Sequence, residues 1–245
     1  MVLCVGIALP STAYLEPAPA PVAQGIDPMS QHALDLVATL KTCAPLTRCA
    51  GDFFRLRDMQ EWLDPDFTRV ALVSIANGHP APLIRAQALW QLLLLAQDKL
   101  DMDMANIAAE SLGLIHEFVY RQGKETTPAN PLVQTEWRAF PMVPGEGWVA
   151  LDRVIRPATR NSAVLATRIA SHQATHAVLR LGFDDGVRVF WNGDAIYKSE
   201  GHRRAALDQV ALPIFVNEGQ NHLRIEVRQD SGAWRLLARI TDREG

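Results

Sequence analysis

The sequence predicts an α+β chain, a helical region followed by an antiparallel β-sandwich. Two changes of texture and one set of turns predict it. Between residues 26 and 111, apolar side chains recur at helical spacing. From residue 112 onward they alternate with polar ones in short runs. Turn residues such as Asn192-Gly193 separate these runs, and no helix-length pattern interrupts them, so the strands pair antiparallel.

The first helix follows Pro28 and Ser30, with Ala33, Leu34, Val37 and Leu40 on one stripe. GDFFRLRDMQEWL, after Cys49, reads as the next, with Phe53, Phe54, Leu56 and Met59 apolar. Asp64 caps a helix that starts with Pro65 and stops before Asn77-Gly78. Pro82 opens LIRAQALWQLLLLAQ, apolar nearly all round and therefore covered on several sides. A further helix begins near Asp101 or Asp103 and ends before Gly113. Short links between successive helices make them pack antiparallel. LIRAQALW is similar to a helix from HEAT or tetratricopeptide-like arrays.

Strand-like runs follow: LIHEFVYRQ, WRAFPMV, WVALDRVI, AVLATRIA, ATHAVLRLGF, GVRVFW, DAIYK, QVALPIFV, HLRIEVRQ and AWRLLARI. In the fifth, Ala177, Leu179, Leu181 and Phe183 face one way, and His176, Val178 and Arg180 the other. Leu223, Ile225 and Val227 alternate with Arg224 and Glu226; Trp234, Leu236, Ala238 and Ile240 alternate with Arg235 and Arg239. Strands with one dry and one wet face build a two-sheet sandwich. Asn192-Gly193 fits a type I′ hairpin, which needs two positive φ angles.

The net charge is −3 over 245 residues, which argues against nucleic acid as a partner. No apolar run reaches the roughly 20 residues of a membrane-spanning helix. The N-terminal MVLCVGIALPSTAYLEPAPAPVAQG reads as a signal-like apolar segment and a Pro/Ala linker over residues 1–25, though no Lys or Arg precedes the apolar run. An exported protein, periplasmic or extracellular, is expected; a cytoplasmic one with a loose tail is the alternative. Cys43 and Cys49 bracket CAPLTRC, a spacing compatible with a small-loop disulfide and too poor in ligands for structural zinc. The expected divisions are 1–25, 26–111 and 112–245.

The segment from Leu179 to Asp242 resembles the galactose-binding-like jelly-roll modules of secreted bacterial proteins. Four pieces carry the resemblance: LRLGFDDGVRVFWNGDAIY, HRRAALDQVALPIFV, NEGQNHLRIEV and SGAWRLLARITD. With the strands before it, the resemblance covers roughly residues 112–243. It implies a jelly roll that binds a glycan or a protein partner. Asp184-Asp185-Gly186 also resembles the acidic pair of PA14-type lectins, which implies calcium at Asp184 and Asp185 as an alternative to an ordinary turn.

Trp191, Tyr197, His202, Arg203 and Arg204 are the ligand-binding candidates, because aromatic faces stack on sugar rings and guanidinium forks bind hydroxyls and carboxylates. Trp191 also continues the inward face of Val187 and Val189, the reading that puts it in the core. His172 and His176 lack the helix and glutamate of a zinc protease, and no nucleophile elbow, P-loop or dinucleotide-binding glycine pattern occurs. A non-catalytic binding module without a cofactor is therefore expected. A calcium-dependent lectin and a purely structural or assembly protein are the alternatives.

Overall fold

A computed structural model of the chain describes residues 5–7, 27–43, 46–123, 137–143 and 145–243. The chain forms two compact units that meet in sequence between Leu112 and Gly113. Among the described residues the helical unit holds α1 (Pro28–Lys41), α2 (Leu46–Asp58), α3 (Pro65–Gly78), α4 (Pro82–Asp98) and α5 (Met102–Ser111). Aspartates start three of them. Asp27 accepts from the N–H groups of Met29 and Ser30, Asp64 from Asp66 and Phe67, and Asp101 from Met104. The GDFFRLRDMQEWL stretch is not one helix: α2 stops at Asp58 and the chain tightens into a 3₁₀ turn at Gln60–Trp62. The Cys43–Cys49 disulfide links the end of α1 to the start of α2. In α4, Ile84, Ala86, Ala88, Trp90, Leu92, Leu93 and Ala96 are all buried, the covering its all-round apolarity requires.

The second unit is a β-sandwich of β1 (Val5–Ile7), β2 (Val119–Gln122), β3 (Arg138–Ala139), β4 (Val149–Ala150), β5 (Asn161–Ser171), β6 (Thr175–Phe183), β7 (Gly186–Trp191), β8 (Asp194–Ser199), β9 (Val210–Val216), β10 (Gly219–Gln229) and β11 (Arg235–Thr241). The larger sheet runs β3-β2-β5-β10-β7-β8, and β1 adds a parallel pairing to β5; the smaller runs β4-β11-β6-β9. Every pairing but that of β1 is antiparallel. Of the N-terminal signal-like segment and linker, only Val5–Ile7 is described; the remainder lies outside the described residues. WVALDRVI leaves the sheet after Ala150 and turns into a 3₁₀ helix at Leu151–Arg153.

Between the sheets lie Leu165, Ile169, Leu179, Phe183, Val189, Ile225 and Trp234, at most 1% exposed. The expected alternation holds on β10, where Leu223, Ile225 and Val227 are buried and Arg224 and Glu226 are not. The Asn192-Gly193 hairpin has positive φ at both residues, 51° and 96°, as a type I′ turn demands. Asn192 then donates to Oδ1 of the buried Asn221 (2.9 Å) and accepts from the His222 N–H (2.8 Å), which ties the hairpin to β10.

On the smaller sheet the outer face is wet at His176 and Arg235, as expected, but covered at its middle. Leu237 and Arg239, on the side opposite Leu236 and Ala238, are buried at 0% and 2% exposure. The chain after β8 crosses this face. At Gly182, opposite Leu237 in the sheet, a Cβ atom would stand 2.0 Å from the Ala206 carbonyl oxygen. The crossing segment delivers Asp208, whose carboxylate accepts from Arg239 Nε (2.7 Å) and lies 3.5 Å from Arg180. Burial lowers the Arg180 guanidinium from its ordinary value, with Asp208 opposing that pull. Arg239 is tolerated inside because the Asp208 carboxylate pairs with it, and Arg180 beside it is only partly buried; a buried charge without a partner costs roughly 3–5 kcal/mol.

Gly182→Ala is expected to destabilise the sandwich by about 1–3 kcal/mol, because the new methyl group meets backbone rather than a movable side chain. Gly51→Ala, in α2 with nothing within 4 Å of the added atom, is expected to stabilise by about 0.5–1 kcal/mol. Urea unfolding of both variants checks the contrast.

Candidate functional site

The sequence-nominated residues lie in two places. The β6–β7 turn is built on Asp184 and Asp185, both buried, with Asp185 at φ 52°. One oxygen of Asp184 accepts from the Ala205 N–H (2.8 Å), the other from the Arg235 N–H (2.9 Å). Burial pushes the Asp184 carboxyl up from its ordinary value, against the pull of these two donors. Asp185 Oδ2 accepts from the Asp230 N–H (2.8 Å), and its own N–H donates to the Arg203 carbonyl. The acidic pair is thus the junction of three loops.

At its surface, His202 Nδ1 lies 3.4 Å from Asp185 Oδ1 and 3.3 Å from Asp230 Oδ2. Ligand atoms of the three residues fall within 4.8 Å of one another. This brings together two nominated residues and one, Asp230, that sequence reasoning passed over as a turn. The donor set does not suit calcium, which takes six to eight oxygens. Both Asp184 oxygens face backbone N–H groups, and Arg228 already stands 3.3 Å from Asp230. Asn192 and Asp194, the further oxygens a calcium site would draw on, flank the β7–β8 turn, at the end of β7 away from the acidic pair.

Trp191 is 5% exposed, and its indole donates to the Phe215 carbonyl of the opposite sheet at 2.8 Å. It belongs to the core, which removes it from the ligand candidates. Tyr197 is partly buried, edge-on to Phe183. Arg203 donates to the Ser199 hydroxyl (2.8 Å) and lays its guanidinium over the Phe183 ring, 5.0 Å from the centroid. Arg204 is exposed, and its carbonyl accepts from Gln209. Of the ligand candidates, His202 and Arg204 face solvent most openly.

The larger concavity lies elsewhere, on the outer face of the larger sheet, with a volume of about 940 Å³. Its floor is Ala166 and Arg168 of β5, His222 and Arg224 of β10 and Phe190 of β7. The register sets His222 opposite Arg168 and Arg224 opposite Phe190, and the Arg224 guanidinium sits 3.8 Å above the Phe190 ring. One wall is the segment Trp137–Met142, held by the β2–β3 pairing and by Phe140, which is buried and edge-on to Tyr120. That anchor leaves Trp137 40% exposed, with Arg121 5.2 Å over its ring. The Asn192-Gly193 turn forms the far rim. Sequence reasoning missed this groove. One signal was present: if Trp191 faces inward, Phe190 is an aromatic side chain on a wet face.

No protein-family model matches the sequence, and no curated protein matches it. Among solved structures, part of the chain is similar to a β-glucosidase from Kluyveromyces marxianus in complex with glucose, with TM-score 0.38 and 11% identity over 51% of this chain and 15% of that one. It is also similar to a family 35 carbohydrate binding module from Clostridium thermocellum (TM-score 0.27, 12% identity, 33% of this chain and 71% of that one). A PA14 sugar-binding domain from an RTX adhesin gives TM-score 0.29 and 21% identity over 34% of this chain and 48% of that one. The chain thus spans 15% of the β-glucosidase and less than half of the adhesin domain.

Asp184→Asn keeps one acceptor and turns an amide N–H₂ toward a second N–H donor; a loss of about 1–3 kcal/mol is expected. Calcium and chelator should leave the melting temperature of the parent protein unchanged. The pH dependence has a definite sign. The folded state raises the Asp184 carboxyl, so it binds this proton at higher pH than the unfolded chain does. This group's contribution to stability therefore rises as pH falls from the folded value toward the ordinary one, and is lost as pH climbs through the same interval. The Asn variant should lack that component in thermal unfolding followed across acidic pH.

Proposed function

We propose that the β-sandwich is a non-catalytic glycan-binding module, and that the outer-face groove takes sugars carrying carboxylates. The observation that carries this reading is the lining of the groove. Trp137 and Phe190 bring aromatic rings to the lining, each with a guanidinium over one face, so a pyranose C–H side meets a mixed aromatic and cationic surface. Among the described residues, Arg168 and Arg224 stand on the floor with one carboxylate, Glu117, in the lining, a balance that favours an acidic ligand. Asn192, His116 and His222 supply further donors and acceptors for hydroxyls. Glycoside hydrolysis normally uses two carboxylates across the scissile bond, and among the described residues the groove lining contains one, which favours binding over cleavage. Export fits the same reading: a disulfide between Cys43 and Cys49 suits an oxidising compartment.

The test is calorimetric titration of the full chain with oligomers of galacturonic acid and, separately, of galactose, each in calcium and in chelator. The acidic oligomer should bind, equally in both conditions, and the neutral one about tenfold more weakly. Arg168→Ala should weaken binding at least tenfold, the size of a charge-assisted hydrogen bond, and Trp137→Ala about fivefold, whereas His202→Ala should leave it unchanged. Binding that needs calcium and disappears with His202→Ala would transfer the site to the acidic corner. Absence of binding to both oligomers would favour a structural or protein-docking role.

A further inference from the structure

We propose that the Cys43–Cys49 disulfide is a thiol–disulfide exchange site, opened by a dithiol reductant and held in its reduced form by the Nε2–H of His79. Two cysteines and a histidine from three elements converge in the helical unit, at the end of α1, in α2 and just past α3. A ring nitrogen of His79 and both sulfurs lie within 4.8 Å of one another. The imidazole is pinned. The His79 N–H donates to the Ile75 carbonyl, and Nδ1 accepts from the Ala81 N–H at 2.9 Å. Accepting at Nδ1 fixes the neutral tautomer, with the proton on Nε2. Burial also lowers the imidazole from its ordinary value, the direction that favours the neutral ring.

His79 is 2% exposed, and its Nε2 has no hydrogen-bond partner among the described residues. A buried donor left unmatched is costly, and a disulfide sulfur is a poor acceptor. A thiolate is a good one. Reduction would therefore create the acceptor that this N–H lacks. The tautomer argues against a metal at the same trio. Freeing Nε2 for a metal would move the proton to Nδ1, against the Ala81 N–H.

Access is asymmetric: Cys49 is buried, and Cys43 is partly exposed. An external thiolate attacks Cys43 Sγ, the Sγ–Sγ bond breaks, and its electron pair goes to Cys49 Sγ as a thiolate. The second thiol of the reductant then attacks the external sulfur of the mixed disulfide and releases Cys43. The chain gains two electrons and the dithiol is oxidised to its disulfide.

The experiment is equilibration of the full chain against ratios of reduced to oxidised dithiothreitol, read by alkylation of both cysteines and by far-ultraviolet circular dichroism. The parent protein should be reduced reversibly, with both thiols appearing together and helicity retained. His79→Asn keeps an acceptor for the Ala81 N–H but, being shorter, places no N–H at the position of Nε2. It should shift the equilibrium about tenfold toward the disulfide. An unshifted equilibrium overturns the proposal. So does reduction that occurs only with loss of helicity, which would make the disulfide a structural staple. Stoichiometric zinc binding by the reduced chain would replace it with a metal site. Should His79→Asn fail to fold, the reversibility of the parent protein decides.

Discussion

The sandwich depends on one carboxylate. Asp184 takes two backbone N–H groups from two different loops, at Ala205 and Arg235, and its neighbour Asp185 takes a third from Asp230. These three donors come from two segments far from Asp184 in sequence, the chain after β8 and the β10–β11 connection up to the start of β11, and would otherwise be unpaired at the junction, at a cost of about 1–3 kcal/mol each. Satisfying them fixes where β7 starts, and so which residues of β7 face in. With that register set, Val187, Val189 and Trp191 enter the core and Phe190 is left on the outer face.

The two faces of the sandwich resolve their charges differently. On the smaller sheet, the segment after β8 lies close against Gly182 and brings Asp208 to Arg239 and Arg180, so cations on an outer face become buried and compensated. On the larger sheet, Arg168 and Arg224 line a groove with, among the described residues, one carboxylate. Arg239 is held by a dedicated carboxylate inside the fold; the groove cations stand at a concavity, which is what the proposed function draws on. The acidic corner falls on the structural side, because most of its oxygens already accept from the protein's own backbone.

The helical unit shows the same logic. Asp27, Asp64 and Asp101 cap helix starts, so their carboxylates are occupied by N–H groups. His79 is a pinned imidazole whose buried Nε2 has no partner among the described residues, next to the one disulfide among them.

By itself the sequence determined what local physics decides. Helical and period-two spacing separated the two regions, Asp64-Pro65 set a helix start, and Asn192-Gly193 set a hairpin, because these depend on neighbouring side chains and on φ alone. The inward face of Trp191 followed from alternation. Alternation could not tell a wet face from one later covered, so Arg239 was misplaced until the crossing segment was known. Nor could it show the groove, whose walls come from Trp137, Phe190 and Arg224 on three separated segments, or the approach of His79 to Cys43 and Cys49. Those depend on contacts between residues distant in the chain, and only tertiary packing brings such residues together.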